Sequence, residues 1–417
     1  MNRRSFFKQG IAATGTYLGL QALASDKKKP ANYQPNPTYR FLDKSLFTSP
    51  VILESLDLFR IDKNWFVRAR STDGAEGWAI SHNNRMNSVY SSFVRDVAPY
   101  FIGKDVRNIE ALLDGVFAYK GNYKMQGQGF WVCVASAEFA MLDMLGRIVE
   151  LPVAELLGGV RQKFVKLYVA NNHREHDVEE SLRLIVNNVD SGNFKAVKHK
   201  IGGRMRLLDT FPGRTERLIP AVADALGDRC TLYADSNSSY VKAKDAIRVG
   251  KLLQSNGYTM YEEPTVFDDL WSLKKVADEL DIIIAGGEQE SSFTRFEWMI
   301  RNGAVQLSQP DLFYYGGLIR SLRVAKLSQE CGIKCTPHIS GGGMGFLYML
   351  VFASCAPAIG PFQEYKGVNQ SIPWESPGVD FKVTNGVIPA PTGPGMGVNY
   401  NPEFLRKGRL IDSSFLP

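Results

Sequence analysis

The rhythm of apolar and polar positions changes near residue 163, and the change divides the chain into two architectures. Before it, between residues 51 and 77, alternation dominates. Trp65-Phe66-Val67-Arg68-Ala69-Arg70 alternates, Ser71-Thr72-Asp73-Gly74 turns, and residues 75–80 resume, which predicts two strands and a turn. Apolar residues then recur at helical spacing over 89–100 and 132–149. Strands first and helices after predict a small α+β unit, closed by Pro152 and the Leu156-Leu157-Gly158-Gly159 break. Beyond it, short apolar runs alternate with helix-like stretches, the pattern of parallel βα units. The runs fall at 164–169, 196–201, 231–234, 259–261, 282–285, 305–307, 333–336 and 360–362. Eight strands favour closure into a barrel over an open sheet. Residues 372–401 are rich in proline and glycine and predict irregular cover.

Composition changes this picture only at the start of the chain. Of 49 basic and 43 acidic residues, six basic residues (Arg3, Arg4, Lys8, Lys27, Lys28, Lys29) and one acid (Asp26) lie in the first 30. The rest is nearly neutral, so nothing suggests the basic face a nucleic-acid partner needs. Asn2-Arg3-Arg4-Ser5-Phe6-Phe7-Lys8, then a mild apolar run ending in Ala22-Leu23-Ala24, resembles a twin-arginine export signal over residues 1–25. A periplasmic destination follows as the expectation, with a basic-tailed cytoplasmic protein as the alternative. The apolar run, interrupted by Gly10, Gly15 and Gly19, is too short and polar for stable membrane insertion. Residues 26–44 read as a linker. The five cysteines (Cys133, Cys230, Cys331, Cys335, Cys355) are odd in number and scattered among apolar residues, which predicts buried free thiols rather than a disulfide framework.

Six titratable residues follow the later runs at nearly even intervals. Asp235, Glu262, Glu288, Asp311, His338 and Glu364 are separated by 27, 26, 23, 27 and 26 residues. One strand, one helix and two loops take about that many, since a whole eightfold α/β barrel spans roughly 250. Such barrels assemble their active sites at the C-terminal ends of the strands, so the spacing predicts a ring of polar groups. Lys198-His199-Lys200 ends the second run, and period-two alternation puts both lysines on one face and His199 on the other. An inward lysine beside another cation has a lowered pKa and serves as a base. The carboxylates of Asp235, Glu262 and Glu288, converging from adjacent strands, would repel unless a cation joined them. An all-oxygen donor set suits magnesium or manganese better than zinc. Glu263 and Glu290 are expected to support that set or to be solvated. Asp311, one strand before His338, can hold the imidazole tautomer. Glu364 is expected opposite the lysine side of the ring.

These motifs carry a resemblance. Beyond residue 50 the chain resembles the enolase superfamily, and within it the mandelate racemase group. Lys198-x-Lys200, Asp235-x-Asn237, Glu262-Glu263-Pro264, Gly287-Glu288, Gln309-Pro310-Asp311, Gly316-Gly317, His338 and Glu364 stand in that family's order and spacing. The resemblance implies an α/β fold: a modified TIM barrel, (β/α)7β, at 161–368 under an α+β capping domain at 45–160. A C-terminal segment, 369–417, is implied to return to the cap. Asp235, Glu262 and Glu288 would be the ligands of one magnesium ion (Mg2+) per subunit, with Mn2+ as its substitute. Lys200 becomes one acid/base, with Lys198 behind it near the substrate carboxylate. His338 with Asp311 becomes the opposing acid/base, and Glu364 hydrogen-bonds a carboxylate oxygen of the intermediate. A homo-oligomer is expected on the same ground. Cycloisomerases and dipeptide epimerases of the family place a base lysine shortly before Gly-Gly; here Tyr314 stands there, which argues against a lysine–lysine mechanism.

The expected substrate comes from the loops. Ser81-His82-Asn83-Asn84-Arg85, residues 119–124, and Asn171-Asn172-His173-Arg174 are all polar. A polyhydroxylated acid fits such a lining, because each desolvated hydroxyl needs a partner. His82, Arg85, Asn171, Asn237 and Tyr314 are the candidate substrate contacts. The reading is a dehydratase of a sugar acid, an aldonate or aldarate, giving a 2-keto-3-deoxy acid. A 2-hydroxy-acid racemase or epimerase and an anhydro-sugar-acid cycloisomerase use the same bases. A sugar-acid-binding protein on an inactive enolase-type fold is the reading from another class, and the full set of bases argues against it.

Overall fold

The structure is a computed structural model that describes residues 39–205, 209–340, 345–368, 372–412 and 414. The expected export signal lies outside the described residues. Three antiparallel strands open the described chain: β1 (Leu53–Ile61), β2 (Asn64–Ser71) and β3 (Glu76–Ile80). The alternation predicted two strands, not three. In β1 a register shift between Leu53 and Ser55 breaks the alternation that would have marked it. Asp62, at φ 53, turns the chain between β1 and β2. Helix α1 (Asn83–Ser92) begins ahead of the expected 89 and passes into a π-helical turn at Phe93–Val97. An unpredicted helix, α2 (Ile109–Ala118), precedes α3 (Gln128–Ile148). The middle of α3 is buried on every side, since it lies between the small sheet and the rest of the molecule. Residues 39–44, at the end of the expected linker, are held down: Phe41 N–H donates to Glu110 Oε1 at 2.5 Å and Asp43 N–H to the Leu156 carbonyl at 3.0 Å.

Eight parallel strands follow. They are β4 (Phe164–Asn171), β5 (Ala196–Lys200), β6 (Thr231–Asp235), β7 (Met260–Glu262), β8 (Ile283–Gly286), β9 (Leu307–Ser308), β10 (Lys334–Cys335) and β11 (Gln363–Tyr365). Between them run seven helices, α4 (Val178–Ser191), α5 (Arg214–Leu226), α6 (Ala243–Ser255), α7 (Leu270–Glu279), α8 (Phe293–Arg301), α9 (Leu318–Glu330) and α10 (Gly345–Cys355). The order β10-β9-β8-β7-β6-β5-β4-β11 is sequential, with β11 beside β4. Cys335 closes the ring: its N–H donates to the Ala358 carbonyl at 2.9 Å and its carbonyl accepts from Gly360 N–H at 2.9 Å. The last strand was expected at 360–362. It forms three residues later, because Pro361 has no N–H to give to a ladder. Side-chain caps begin two of these helices: Asp177 accepts Glu180 N–H at 2.9 Å before α4, and Asp269 accepts Ser272 N–H at 2.9 Å before α7.

Inside the ring Tyr168, Ala170, Ala196, Tyr233, Met260, Ala285 and Leu307 pack together as a floor. The small sheet covers the molecule through α3. Glu138 of α3 accepts the N–H groups of Leu318 and Ile319 at 2.5 and 3.0 Å, satisfying the first turn of α9. Gly317, at φ +108, makes this approach feasible, since a Cβ there would lie 1.9 Å from Glu138 Oε2. The chain then returns from the barrel: Arg409–Ile411 pairs antiparallel with β1, and Met396 N–H donates to Asp143 of α3 at 2.8 Å.

Candidate active site

Above the apolar floor, the same strand faces carry charge. In β5, Ala196 joins the floor, and Lys198 and Lys200 follow it at intervals of two on the inner face. Lys198 Nζ lies 2.8 Å from both Glu262 oxygens and 2.9 Å from Glu364 Oε1, and it sits 5.2 Å from the Tyr168 ring centre. Lys200 Nζ bonds Asp235 Oδ2. His199 faces the helices, where its Nε2 meets the Tyr258 hydroxyl at 2.7 Å. Glu364 was expected opposite the lysines. It lies against Lys198 instead, because ring closure places the eighth strand only two positions from the second.

Asp235, Glu262 and Glu288 each offer an oxygen, and these atoms lie within 4.8 Å of one another. All three residues are buried, and Glu288 Oε2 has no hydrogen-bond donor among the described residues. Gly287, at φ +111, turns the chain after β8, and a Cβ there would meet the Phe296 ring at 2.4 Å. Burial, with the neighbouring Asp235 and Glu288 carboxylates, pushes Glu262 up to about 7. Asp235 moves the other way: burial opposes its ionisation, but Lys200, Lys198 and Arg174 outweigh it. Glu263 supports this set rather than being solvated, and Asn237 Nδ2 donates to its Oε2 at 3.4 Å. It is buried, and burial beside Glu288, Asp235 and Glu262 holds its carboxyl well above the usual range. Glu290 stands apart, paired with Arg295 at 2.7 Å. An orphaned carboxylate oxygen in a cluster this rich in acid fits a divalent cation held by Asp235, Glu262 and Glu288.

Across the cluster, His338 Nδ1 is 2.6 Å from Asp311 Oδ2, and His338 Nε2 is 3.4 Å from Glu288 Oε2 and 3.7 Å from Glu364 Oε2. Burial disfavours the imidazolium, but Glu288, Asp311 and Glu364 together carry the His338 pKa above its ordinary value. Asp311 is fixed in turn by the N–H groups of Phe313, Tyr314 and Ser340 at 2.8, 2.7 and 2.7 Å. Lys366 completes this side: its Nζ is 2.7 Å from Glu364 Oε2 and 3.2 Å from His338 Nε2. Motif reading missed Lys366, although it continues the inner face of β11 two residues beyond Glu364.

The cap supplies His82 and Arg85. The His82 ring stacks on Tyr314 with centres 5.5 Å apart, and Arg85 Nε donates to the Tyr314 hydroxyl at 3.1 Å. These three candidates therefore form one group. Burial lowers the His82 pKa, keeping the ring neutral. Asn237, in the left-handed region at φ 41, joins the acid cluster instead, with its Nδ2 3.5 Å from Glu288 Oε1. Arg174, another residue not singled out, donates to Asn237 Oδ1 at 3.0 Å. Asn171 is not brought in: it lies in register with outward-facing His199, and its Oδ1 accepts from His173 N–H at 3.3 Å.

A closed (β/α)7β ring with carboxylates, lysines and a His–Asp pair at its strand ends defines an α/β-barrel enzyme. Residues 61–158 match the mandelate racemase / muconate lactonizing enzyme N-terminal domain, and residues 180–404 match the enolase C-terminal domain-like model. The chain belongs to this mandelate racemase/muconate lactonizing branch of the enolase superfamily. It is 27% identical to the arabinonate dehydratase of Saccharolobus solfataricus over 75% of this chain and 81% of that one. It is 25% identical to the D-galactarolactone cycloisomerase of Agrobacterium fabrum over 83% of this chain and 91% of that one. A crystal structure from Roseobacter denitrificans superposes with a TM-score of 0.80 at 30% identity, covering 86% of this chain and 99% of that one.

Proposed function

We propose that this enzyme is a hydro-lyase that dehydrates a sugar acid, an aldonate or aldarate, to a 2-keto-3-deoxy acid. The observation that carries the reading is a matched pair of bases flanking one acid cluster. Lys200 contacts Asp235 on one side, and His338, oriented by Asp311, stands 3.4 Å from Glu288 on the other. The similarity to a sugar-acid dehydratase supports it.

Asp235, Glu262 and Glu288 would hold magnesium, with manganese as a substitute, and the bound cation would draw charge from the substrate carboxylate. A hydrogen beside a carboxylate is otherwise a very weak acid, because its removal builds a second negative charge next to the first. Lys198 adds a fixed positive charge at that end, held charged by Glu262 and Glu364 despite burial. Lys200 takes the α-proton, and the electron pair moves into an enediolate. The pair then forms the C2–C3 double bond as the C3–O bond breaks, and His338 gives the departing hydroxide its proton. The resulting enol tautomerises to the keto acid. Loss of one water balances the reaction.

The test is a library of sugar acids incubated with enzyme and magnesium, read by keto-acid release and by deuterium uptake at the α-carbon in D2O. Keto acid from one or a few substrates, lost in Lys200→Ala and His338→Ala, is the expected result. Exchange without keto acid would replace dehydration by epimerisation. A lactone-to-open-chain conversion without water loss would favour the cycloisomerase reading, for which the Agrobacterium relative speaks.

The basic leader supports a second part of the proposal, export of the folded enzyme by a twin-arginine route. Replacing Arg3 and Arg4 by lysine should leave the protein in the cytoplasmic fraction. An unchanged distribution would withdraw export.

A further inference from the structure

We propose that Lys366 is a catalytic residue that hydrogen-bonds the departing hydroxyl during dehydration. The inference rests on the dehydratase reading above and adds a group that neither the family motifs nor the mechanism so far includes.

Its position follows from the eighth strand. Phe362 packs against the apolar floor, Glu364 reaches the acid cluster, and Lys366 is the next residue on that face, just past the strand end. Its ammonium has three hydrogens. Its Nζ forms an ion pair with Glu364 Oε2 at 2.7 Å, donates to the Ile339 carbonyl at 3.2 Å and lies 3.2 Å from His338 Nε2. The first two contacts fix the side chain. The third places it beside the one imidazole nitrogen not committed to Asp311. Lys198 is sealed in the barrel at 1% side-chain exposure, whereas Lys366 is 22% exposed and can be reached by substrate.

Geometry then constrains what Lys366 does. A substrate atom hydrogen-bonded to His338 Nε2 sits about 3 Å from it, and on the side of that nitrogen where the Lys366 ammonium stands 3.2 Å away it comes within hydrogen-bond reach of Lys366. A hydroxyl oxygen has two lone pairs. It can take a proton from His338 and a hydrogen bond from Lys366 together. A carbon atom, the target of proton return in racemisation, has no second pair to offer. Lys366 therefore assists the step in which the C3–O bond breaks, and contributes nothing to α-proton removal by Lys200. The bond and proton changes are those of the dehydration already written; Lys366 donates a hydrogen bond and keeps its proton.

The experiment compares wild type, Lys366→Met and Lys366→Arg on the identified substrate in D2O, following keto-acid release and α-deuterium uptake in the recovered acid. Magnesium binding by calorimetry checks that each variant is folded. Lys366→Met should lose about a hundredfold in release, the scale of one positioned donor or acid. It should still exchange the α-proton within a few-fold of the wild-type turnover, and Lys366→Arg should recover part of the release. Unchanged release in Lys366→Met overturns the assignment. An equal fall in release and exchange also overturns it, since that marks a structural role through Glu364. Wild-type enzyme that exchanges but never forms keto acid would sink the dehydratase reading itself, and this role with it.

Discussion

Asp311 holds His338 from a distance of 2.6 Å with one carboxylate oxygen, while its other oxygen takes the Phe313 and Tyr314 amides. One side chain thus fixes both the imidazole and the loop that carries Tyr314. With Asp311 accepting, the Nδ1 proton is held and Nε2 faces the cluster. Asp311→Asn should leave the fold intact but let the amide drive the wrong tautomer. Keto-acid release is expected to drop by about three to four orders of magnitude. Nitrogen-15 chemical shifts of the imidazole check the cause, and an unaltered tautomer would show that Asp311 acts otherwise.

Removing one carboxylate from the acid cluster should separate metal binding from folding. Glu288→Gln keeps the shape of a side chain whose Oε2 has no donor among the described residues. Magnesium affinity measured by calorimetry should fall by more than the roughly 10–100-fold seen for supporting residues around metal ligands. The melting temperature in EDTA should change little, because a costly buried charge is removed. Wild-type affinity in this variant would remove Glu288 from the ligand set.

His199 predicts a pH dependence unconnected with catalysis. Burial, with Arg214 nearby, lowers its pKa from 6.5 to about 3, so the folded protein keeps it neutral. The unfolded chain binds a proton below its own value and the folded chain does not. Stability is therefore whole above pH 6.5 and is lost as the pH falls toward 3, at up to about 1.4 kcal/mol per unit from this group. His199→Gln can still meet the Tyr258 hydroxyl and lacks this proton uptake. Its loss in melting temperature between pH 7 and pH 4.5 should be smaller than that of wild type. Parallel curves would refute the assignment.

The Tyr314 hydroxyl lies between Arg85 at 3.1 Å and His82 at 3.4 Å, linking the cap to the barrel. Tyr314→Phe frees both groups without touching the bases. It should raise KM about tenfold, the worth of roughly one hydrogen bond to a charged group, and leave kcat nearly unchanged. A fall in kcat at constant KM would move Tyr314 from substrate positioning into the chemistry.

The sequence by itself determined the periodic features. Lys198 and Lys200 share a face because strand side chains alternate, and Asp235, Glu262 and Glu288 recur because each βα unit consumes a similar length of chain. Local rules decide such features, so they are legible without the fold. β1 escaped because its register shift breaks alternation, and the last strand moved because Pro361 lacks a donor. What only the tertiary structure decided depends on closure and on domain contact. Ring closure brings Glu364 onto Lys198, and Lys366 onto His338. Docking of the cap brings His82 and Arg85, more than 220 residues away in sequence, onto Tyr314. No periodicity along a chain encodes which distant faces meet; burial of both apolar surfaces around α3 sets that, and the functional neighbours follow.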